Sequence, residues 1–462
     1  MYLAHVPALF DPNDPRPIHF LGIGGAGMSA LALAALRRGV AVTGCDLDDT
    51  AFPDLRAAGA IVDIGFDTAH LDGARAVVAT AAAALDHPEL CAAREIGLPI
   101  VFRKDALAKL VNGTTLVAIA GTHGKTTTTV MTTEALRAGG LHPSGLAGGR
   151  VAAWGGNALL DGDALFVVEA DEYDQAFLTL KPTIAVVNNV ESDHLECYGS
   201  LGALEAAFVT FAGRAKRALI GLADTGSDRV AAELGETVWR FGVDRGNVSI
   251  AVRELGADGS RADVTLPDER VVPLALRVPG VHNLRNATAA LGVVFALNAD
   301  VAAALEALAG FSGVGRRFER LGDERGITFV DDYAHHPTEL AATLAAARQA
   351  FPDRRLVAVF QPHLYSRTQE HGETMGRVLA AADVVVVADV YGAREQPRAN
   401  VTGKIVADAA TASGAMVLYE PLRDELAVET AALLREGDVL ITLGAGDVTR
   451  VGPEIRALWR AQ

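Results

Sequence analysis

The residues best suited to chemistry lie in LVAIAGTHGKTTTTVMTTEAL, from Leu116 to Leu136. An apolar, β-branched run (Leu116 to Ala120) leads into Gly121-Thr122-His123-Gly124-Lys125-Thr126-Thr127, and a helical pattern follows. A turn of this kind presents bare backbone N–H groups and a helix N-terminus to an anion. Lys125 adds a point charge for phosphate oxygens, and the Thr126 hydroxyl can ligate Mg²⁺. The usual phosphate loop spaces its glycines five apart, whereas Gly121 and Gly124 are three apart. The strand–turn–helix context and the Gly-Lys-Thr end still point to a nucleoside triphosphate.

A second glycine turn, Gly22-Ile23-Gly24-Gly25-Ala26-Gly27-Met28-Ser29, follows Ile18 to Leu21. Gly22, Gly24 and Gly27 satisfy G-x-G-x-x-G, and Asp46 closes the next strand where a ribose-binding acid belongs. NAD and a UDP-sugar both carry a pyrophosphate and a ribose, so this pattern alone leaves the two open. Glu169 ends a later apolar strand and can hold Mg²⁺ opposite Thr126, since a hard cation takes carboxylate oxygens. Asp171 and Glu172 follow in the same acidic turn. His194 comes after a neighbouring strand whose end should share the cleft. His282, Asn283 and Asn286 fall at i, i+1 and i+4 of a helix, and amides suit the edges of adenine. Arg316-Arg317 can clamp a carboxylate or a phosphate bidentately. Two polar clusters after late strands, Asp331 to Glu339 and Gln361 to Thr368, contain Tyr333, His335, His336, His363 and Arg367. Adjacent His335 and His336 lack a third ligand at familiar spacing, which disfavours zinc there.

These groups are positioned by a recurring unit: an apolar strand, a Gly-rich or polar turn, then an Ala/Leu-rich helix. That is the pattern of α/β domains built on largely parallel sheets. Length alone, 462 residues, implies several domains. The spacing predicts boundaries that divide the chain into 1–112, 113–312 and 313–462. Strands are expected at Ile18–Leu21, Val40–Cys45, Ile61–Ile64, Ala76–Thr80, Ala164–Val168, Thr183–Val187, Thr328–Val330, Arg355–Phe360, Val384–Val387 and Val439–Leu443. Short β-hairpins with Asp-Arg-Gly and Asp-Gly turns are expected from Val238 to Val278. A formal net charge of −16 argues against a nucleic-acid or anionic-membrane surface. Cys45, Cys91 and Cys197 are far apart and without metal-ligand spacing, which points to a reducing compartment and no cysteine chemistry. The first residues lack a signal-peptide pattern, and no apolar run reaches membrane-spanning length. A cytoplasmic protein is expected.

With GIGGAGMS, AGTHGKTTT, EADEYD, NNVESDH, HNLRNA, GRRFE, DDYAHHPTE and QPHLYSRT in this order, the chain resembles a Mur ligase. The likeness runs from Ile18 to Val448 and is greatest to the alanine-adding branch of peptidoglycan precursor synthesis. It implies three domains: a Rossmann-like domain for the UDP-sugar, a central P-loop ATPase and a Rossmann-like domain for the amino acid. The implied substrates are UDP-N-acetylmuramate, L-alanine and ATP, with Mg²⁺. The implied UDP-sugar residues are Gly22, Gly24, Gly25, Gly27, Met28, Ser29, Asp46 and His70. ATP would be held by Gly121, Thr122, His123, Gly124, Lys125, Thr126, Thr127, His282, Asn283, Asn286, Arg316 and Arg317. Metal ligation falls to Thr126, Glu169 and His194, and the amino-acid site to Tyr333, His335 and Arg367. The catalytic set is then Lys125, Glu169, His194, His335 and Arg367. Leu364 departs from an arginine carried by some members, and Tyr173 stands where many have serine. A ligase that recycles a murein tripeptide and, more remotely, a nicotinamide-dependent dehydrogenase are the alternatives.

Overall fold

In the computed structural model, residues 9–257, 259–393 and 395–461 are described. The first sheet orders its strands Ile61–Ile64, Val42–Asp46, Ile18–Leu21, Ala76–Ala79 and Ile100–Phe102, all parallel. Side-chain alternation divides its core in two. Ile18, Phe20 and Val78 pack with the helix Ala26–Arg37 on one face. Leu21, Cys45, Val77 and Ala79 pack with Leu90 and Ala93 of Pro88–Glu95 on the other. A strand covered on both faces must be apolar on both, as Ala76–Ala79 is.

The second sheet has ten strands. Five central ones, Arg217–Gly221, Ile184–Val187, Thr115–Ala120, Leu165–Glu169 and Pro143–Val151, are adjacent and parallel. Their carboxyl ends therefore share one edge, where α/β sheets bind ligands. Sequence reading missed Pro143–Val151 and its antiparallel neighbour Gly156–Leu159. Neither has a long apolar run. The expected hairpin after Trp239 is corrected. Trp239–Val243 pairs with Val248–Gly256 in parallel, because Asp244 (φ 56°) and Gly246 (φ 109°) turn the chain back into its original direction. Asp258, of the expected Asp-Gly turn, and the first eight residues lie outside the described residues.

In the third sheet Ile327–Asp332, Val439–Leu443, Leu356–Phe360, Val384–Val387 and Met416–Tyr419 run parallel. Glu319–Glu324 pairs antiparallel at one edge. It is charged and half-exposed, which hides it from an apolar-run search and blunts a bare sheet edge.

The chain forms two compact units. The first comprises residues up to Val252 with Ala262–Ala275 and Leu284–Phe311. The second comprises Arg253–Arg261, Leu276–Asn283 and the stretch from Ser312 onward. Within the first unit, Arg37 donates to the carbonyls of Trp154 and Ala158, and Asn157 donates to Ala26 O and Ser29 Oγ. The first sheet and its glycine turn are thus fastened to the second. Among the described residues no helix is long and apolar enough to cross a membrane.

Candidate active site

The turn after Thr115–Ala120 enters the helix Lys125–Ala138 through Gly124, which sits at φ 77°. A Cβ there would lie 2.7 Å from Asn286 Oδ1, which would have to shift, but it is the left-handed backbone that calls for glycine. Lys125 Nζ donates to Gly121 O at 2.8 Å, to Thr122 O at 3.2 Å and to both Glu172 oxygens at 2.8 and 3.0 Å. Burial disfavours the Lys125 charge, but Glu172, Asp171 and Glu169 outweigh it and raise its pKa well above the usual lysine range. Sequence reading assigned no such role to Glu172. The signal was present, since two acids follow Glu169 within three residues.

Thr126 Oγ1 donates to Glu169 Oε2 at 2.9 Å, and Gly148 N donates to the same oxygen at 2.7 Å. A hydroxyl and a carboxylate facing each other at a helix N-terminus form an all-oxygen donor set suited to a hard cation. Thr127 is buried in the same helix. Thr122 and His123 face the turn after Ile184–Val187. His123 N donates to Asn189 Oδ1 at 2.7 Å, and His123 Nε2 lies 2.8 Å from Glu191 Oε2. Asn188 Nδ2 reaches Thr128 Oγ1 and His123 O. His194 has φ 54°, a left-handed backbone rare for histidine, and begins Leu195–Tyr198. Its ring meets that of Tyr173 edge-on at 5.2 Å, so the departure at Tyr173 touches an expected metal ligand.

Arg103 was also missed, although it directly follows Ile100–Phe102 at the carboxyl edge of the first sheet. Its guanidinium lies 3.2 Å from Asp171 Oδ2. Burial works against the Asp171 carboxylate, yet Arg103, Lys125 and His194 together hold its pKa below the ordinary range.

At the first glycine turn Gly22 has φ 82°, and a Cβ there would strike Thr80 Cγ2 at 2.6 Å. Asp46 is a bracket for the turn. Its Oδ2 accepts from Gly24 N at 2.8 Å, and its Oδ1 from Leu47 N and Asp48 N. Gly25 precedes the helix that contains Gly27. Met28 and Ser29 are buried. Ser29 Oγ donates to Gly25 O and Ala26 O, so it serves the helix start. His70 turns Nδ1 toward Glu89 Oε1 at 3.1 Å, leaving its Nε2 edge toward Asp63.

The helix Val281–Ala296 carries the three expected adenine contacts, but Asn286 belongs to the first unit and His282 and Asn283 to the second. Asn286 approaches Gly124, and Asn283 Nδ2 donates to Pro279 O. In the second unit Arg316 and Arg317 lie over the Tyr333 ring at 4.9 and 5.0 Å. Arg316 also donates to Asp331 Oδ2 and Gly444 O. His335 Nδ1 donates to Tyr333 O at 2.8 Å, and its ring lies 6.0 Å from that of His363. Arg367 is buried, with Nη1 3.3 Å from His363 Nδ1. Leu364 is buried at φ 68° where the helix Tyr365–Leu379 begins. Within this cluster the buried guanidinium is that of Arg367, and position 364 supplies a buried apolar side chain.

Comparison with known proteins matches three family models in order: Mur ligase family, catalytic domain (residues 17–115); Mur ligase middle domain (119–294); and Mur ligase, glutamate ligase domain (316–446). The UDP-N-acetylmuramate–L-alanine ligase of Clavibacter michiganensis is 44% identical, covering 96% of this chain and 94% of that protein. The ligase of the same name from Streptomyces avermitilis is also 44% identical, covering 95% and 96%. The crystal structure of UDP-N-acetylmuramate–alanine ligase from Thermotoga maritima superposes with a TM-score of 0.82 at 30% identity, covering 96% and 99%. A murein peptide ligase from Psychrobacter arcticus gives 0.74 at 26% identity, covering 96% and 98%. With three sheets in the matching order and a phosphate-type loop on the middle one, the chain belongs to the Mur ligase family and has its three-domain α/β architecture.

Proposed function

We propose that this protein ligates L-alanine to the lactyl carboxylate of UDP-N-acetylmuramate, with ATP converted to ADP and phosphate. The observation that carries this reading is the near full-length likeness to alanine-adding ligases, at 44% identity. We assign 1–112 to the UDP-sugar, 113–312 to ATP and 313–462 to the amino acid. The reaction draws on ATP and a nucleotide sugar in the formation of peptidoglycan precursors, and we place it in the cytoplasm.

In this reading the backbone from Gly121 to Thr127 receives the ATP phosphates. Lys125 exchanges its Glu172 contact for phosphate oxygens. Thr126 and Glu169 would hold one Mg²⁺, and His194 a second. Bound there, Mg²⁺ supplies positive charge that offsets charge on the transferring phosphoryl group. The sugar carboxylate attacks the γ-phosphorus and becomes an acyl phosphate. The amine of alanine then attacks the carbonyl carbon, and the tetrahedral intermediate expels phosphate. Lys125 follows the phosphoryl group and stabilises its charge where water is scarce. Asn286 flanks the loop and, with His282 and Asn283, is assigned to the adenosine end of ATP. Arg316 and Arg317 are assigned to the nucleotide as well. The turn Gly22–Ser29, with Asp46 and His70, is assigned to the UDP-sugar. Arg367, with Tyr333 and His335, is assigned to the alanine carboxylate and amine.

The test is phosphate release with ATP, Mg²⁺ and UDP-N-acetylmuramate against a panel of amino acids and the murein tripeptide. L-Alanine should give the highest kcat/KM. Glycine and serine should trail by the about 1–3 kcal/mol that methylene-scale differences allow. Turnover with the tripeptide and none with alanine would overturn the acceptor assignment.

A further inference from the structure

Four side chains remote in sequence converge beneath the first glycine turn. His19 comes from the strand Ile18–Leu21, Cys45 from Val42–Asp46, His70 from the turn Thr68–Leu71 and Glu89 from the helix Pro88–Glu95. One donor atom from each lies within 4.8 Å of all the others. Cys45 Sγ is 3.5 Å from His19 Nε2 and 3.3 Å from Glu89 Oε1. Glu89 is 3.2 Å from His19 Nε2 and 3.1 Å from His70 Nδ1. His19, Cys45 and Glu89 are at most 1% exposed, and His70 forms the partly open rim.

The groups around the cluster orient these donors inward. His19 Nδ1 is 3.0 Å from Thr43 Oγ1, which fixes the ring with Nε2 toward the centre. Asp67 N donates to Glu89 Oε1 at 3.0 Å and orients the carboxylate. Outer contacts of this kind set ligand direction in metal sites. Two imidazoles, a thiol and a carboxylate make a mixed N/S/O set with borderline-soft character. It suits a zinc-class ion and is unlike the all-oxygen pair Thr126 and Glu169.

We propose that His19, Cys45, His70 and Glu89 form a four-ligand site for a divalent transition-metal ion of the zinc class. All four metal ligands come from the protein, as in a structural site. His70 ligates through Nδ1, and its Nε2 edge, toward Asp63, is left for the UDP-sugar assigned to it. Binding expels the Cys45 thiol proton to solvent, and the thiolate sulfur takes its place on the metal. The Cys45 carbonyl accepts from Gly22 N at 2.9 Å and Ile23 N at 3.1 Å, so an occupied site ties the glycine turn to a cross-linked strand. Spacing along the sequence conceals the cluster, because each ligand sits on a separate element.

Co²⁺ titrated into the full-length protein, after stripping with a chelator, tests this. One equivalent should produce a sulfur-to-cobalt charge-transfer band and tetrahedral d–d bands. Zn²⁺ should abolish them, and excess Mg²⁺ should leave them unchanged. Cys45→Ser should remove the charge-transfer band, while Cys91→Ser and Cys197→Ser should retain it. His70→Ala, at the rim, keeps the test sound if a core variant misfolds. It should weaken Co²⁺ binding on the order of 100-fold while the metal-free protein melts as wild type does, since even an outer-contact change costs 10–100-fold in affinity. Absence of the band in the wild type, its survival in Cys45→Ser, or unchanged affinity in His70→Ala would overturn the proposal. The cluster would then be a hydrogen-bonded web only.

Discussion

Replacing Lys125 removes two things at once, and the structure says how to separate them. Its side chain is 14% exposed, and the ammonium lies 2.8 Å from the carboxylate of Glu172, whose side chain is 2% exposed. At that distance, with an effective dielectric constant of about 20, the gross attraction is about 6 kcal/mol. Desolvation of both ions offsets much of it. Removing only the lysine leaves a buried carboxylate without its counter-ion, which costs about 3–5 kcal/mol. Lys125→Met should therefore lower the melting temperature by on the order of 10 °C as well as abolish ligation. The double variant Lys125→Met/Glu172→Gln removes both charges and should recover most of the stability. Turnover should stay low by roughly 10²–10³-fold or more, because the lost charge acts on the transferring phosphoryl group. Calorimetry and phosphate release on the same three samples decide the matter. Recovery of turnover along with stability would refute the assignment and make Lys125 a structural ion-pair partner.

Gly124→Ala combines a positive φ with a 2.7 Å approach to Asn286 Oδ1. It should raise the KM for ATP at least tenfold while UDP-sugar binding by calorimetry is unchanged; equal weakening of both would contradict separate sites. Arg367→Ala should raise the KM for alanine far more than that for ATP, and equal effects would remove Arg367 from the amino-acid site. Burial pushes the Asp332 carboxyl up from 3.8 to about 6, despite Arg317 and the backbone donors of Ala334 and Phe318. A raised folded pKa favours the protonated form, so this contribution is full below pH 3.8 and is lost as pH rises through about 6. The loss is about 3 kcal/mol at most. Carboxyl NMR should show a midpoint near pH 6 that Asp332→Asn removes, and a midpoint near the unfolded value would contradict the burial argument.

Parallel strands such as Leu165–Glu169 and Val384–Val387 were legible because strands covered on both faces must be apolar, whereas the parallel strands Ile100–Phe102, Arg217–Gly221 and Met416–Tyr419 were not foreseen. The phosphate-type loop was legible because its chemistry is local to one turn. Gly156–Leu159 and Glu319–Glu324 were not, since edge strands need no continuous apolar run, and the interior strand Pro143–Val151 is interrupted by glycines and a serine. The parallel return after Val243 depends on the backbone of Asp244 and Gly246, which residue types alone leave undecided. Long-range pairings were also hidden. Asp46 read as a ribose acid, and its bond to Gly24 N across the turn was not visible in the sequence. Glu172 read as one of several acids and is found on Lys125. The cluster of His19, Cys45, His70 and Glu89 exists only once four elements are packed together.

The most direct test of the central claim uses UDP-N-acetylmuramate labelled with oxygen-18 in both lactyl carboxylate oxygens, incubated with ATP, Mg²⁺ and L-alanine. Mass spectrometry should find the alanyl amide retaining one labelled oxygen, with the other in the released phosphate. Alanyl amide formed beside phosphate that carries no oxygen-18, or no alanyl amide at all, would contradict ligation through an acyl phosphate.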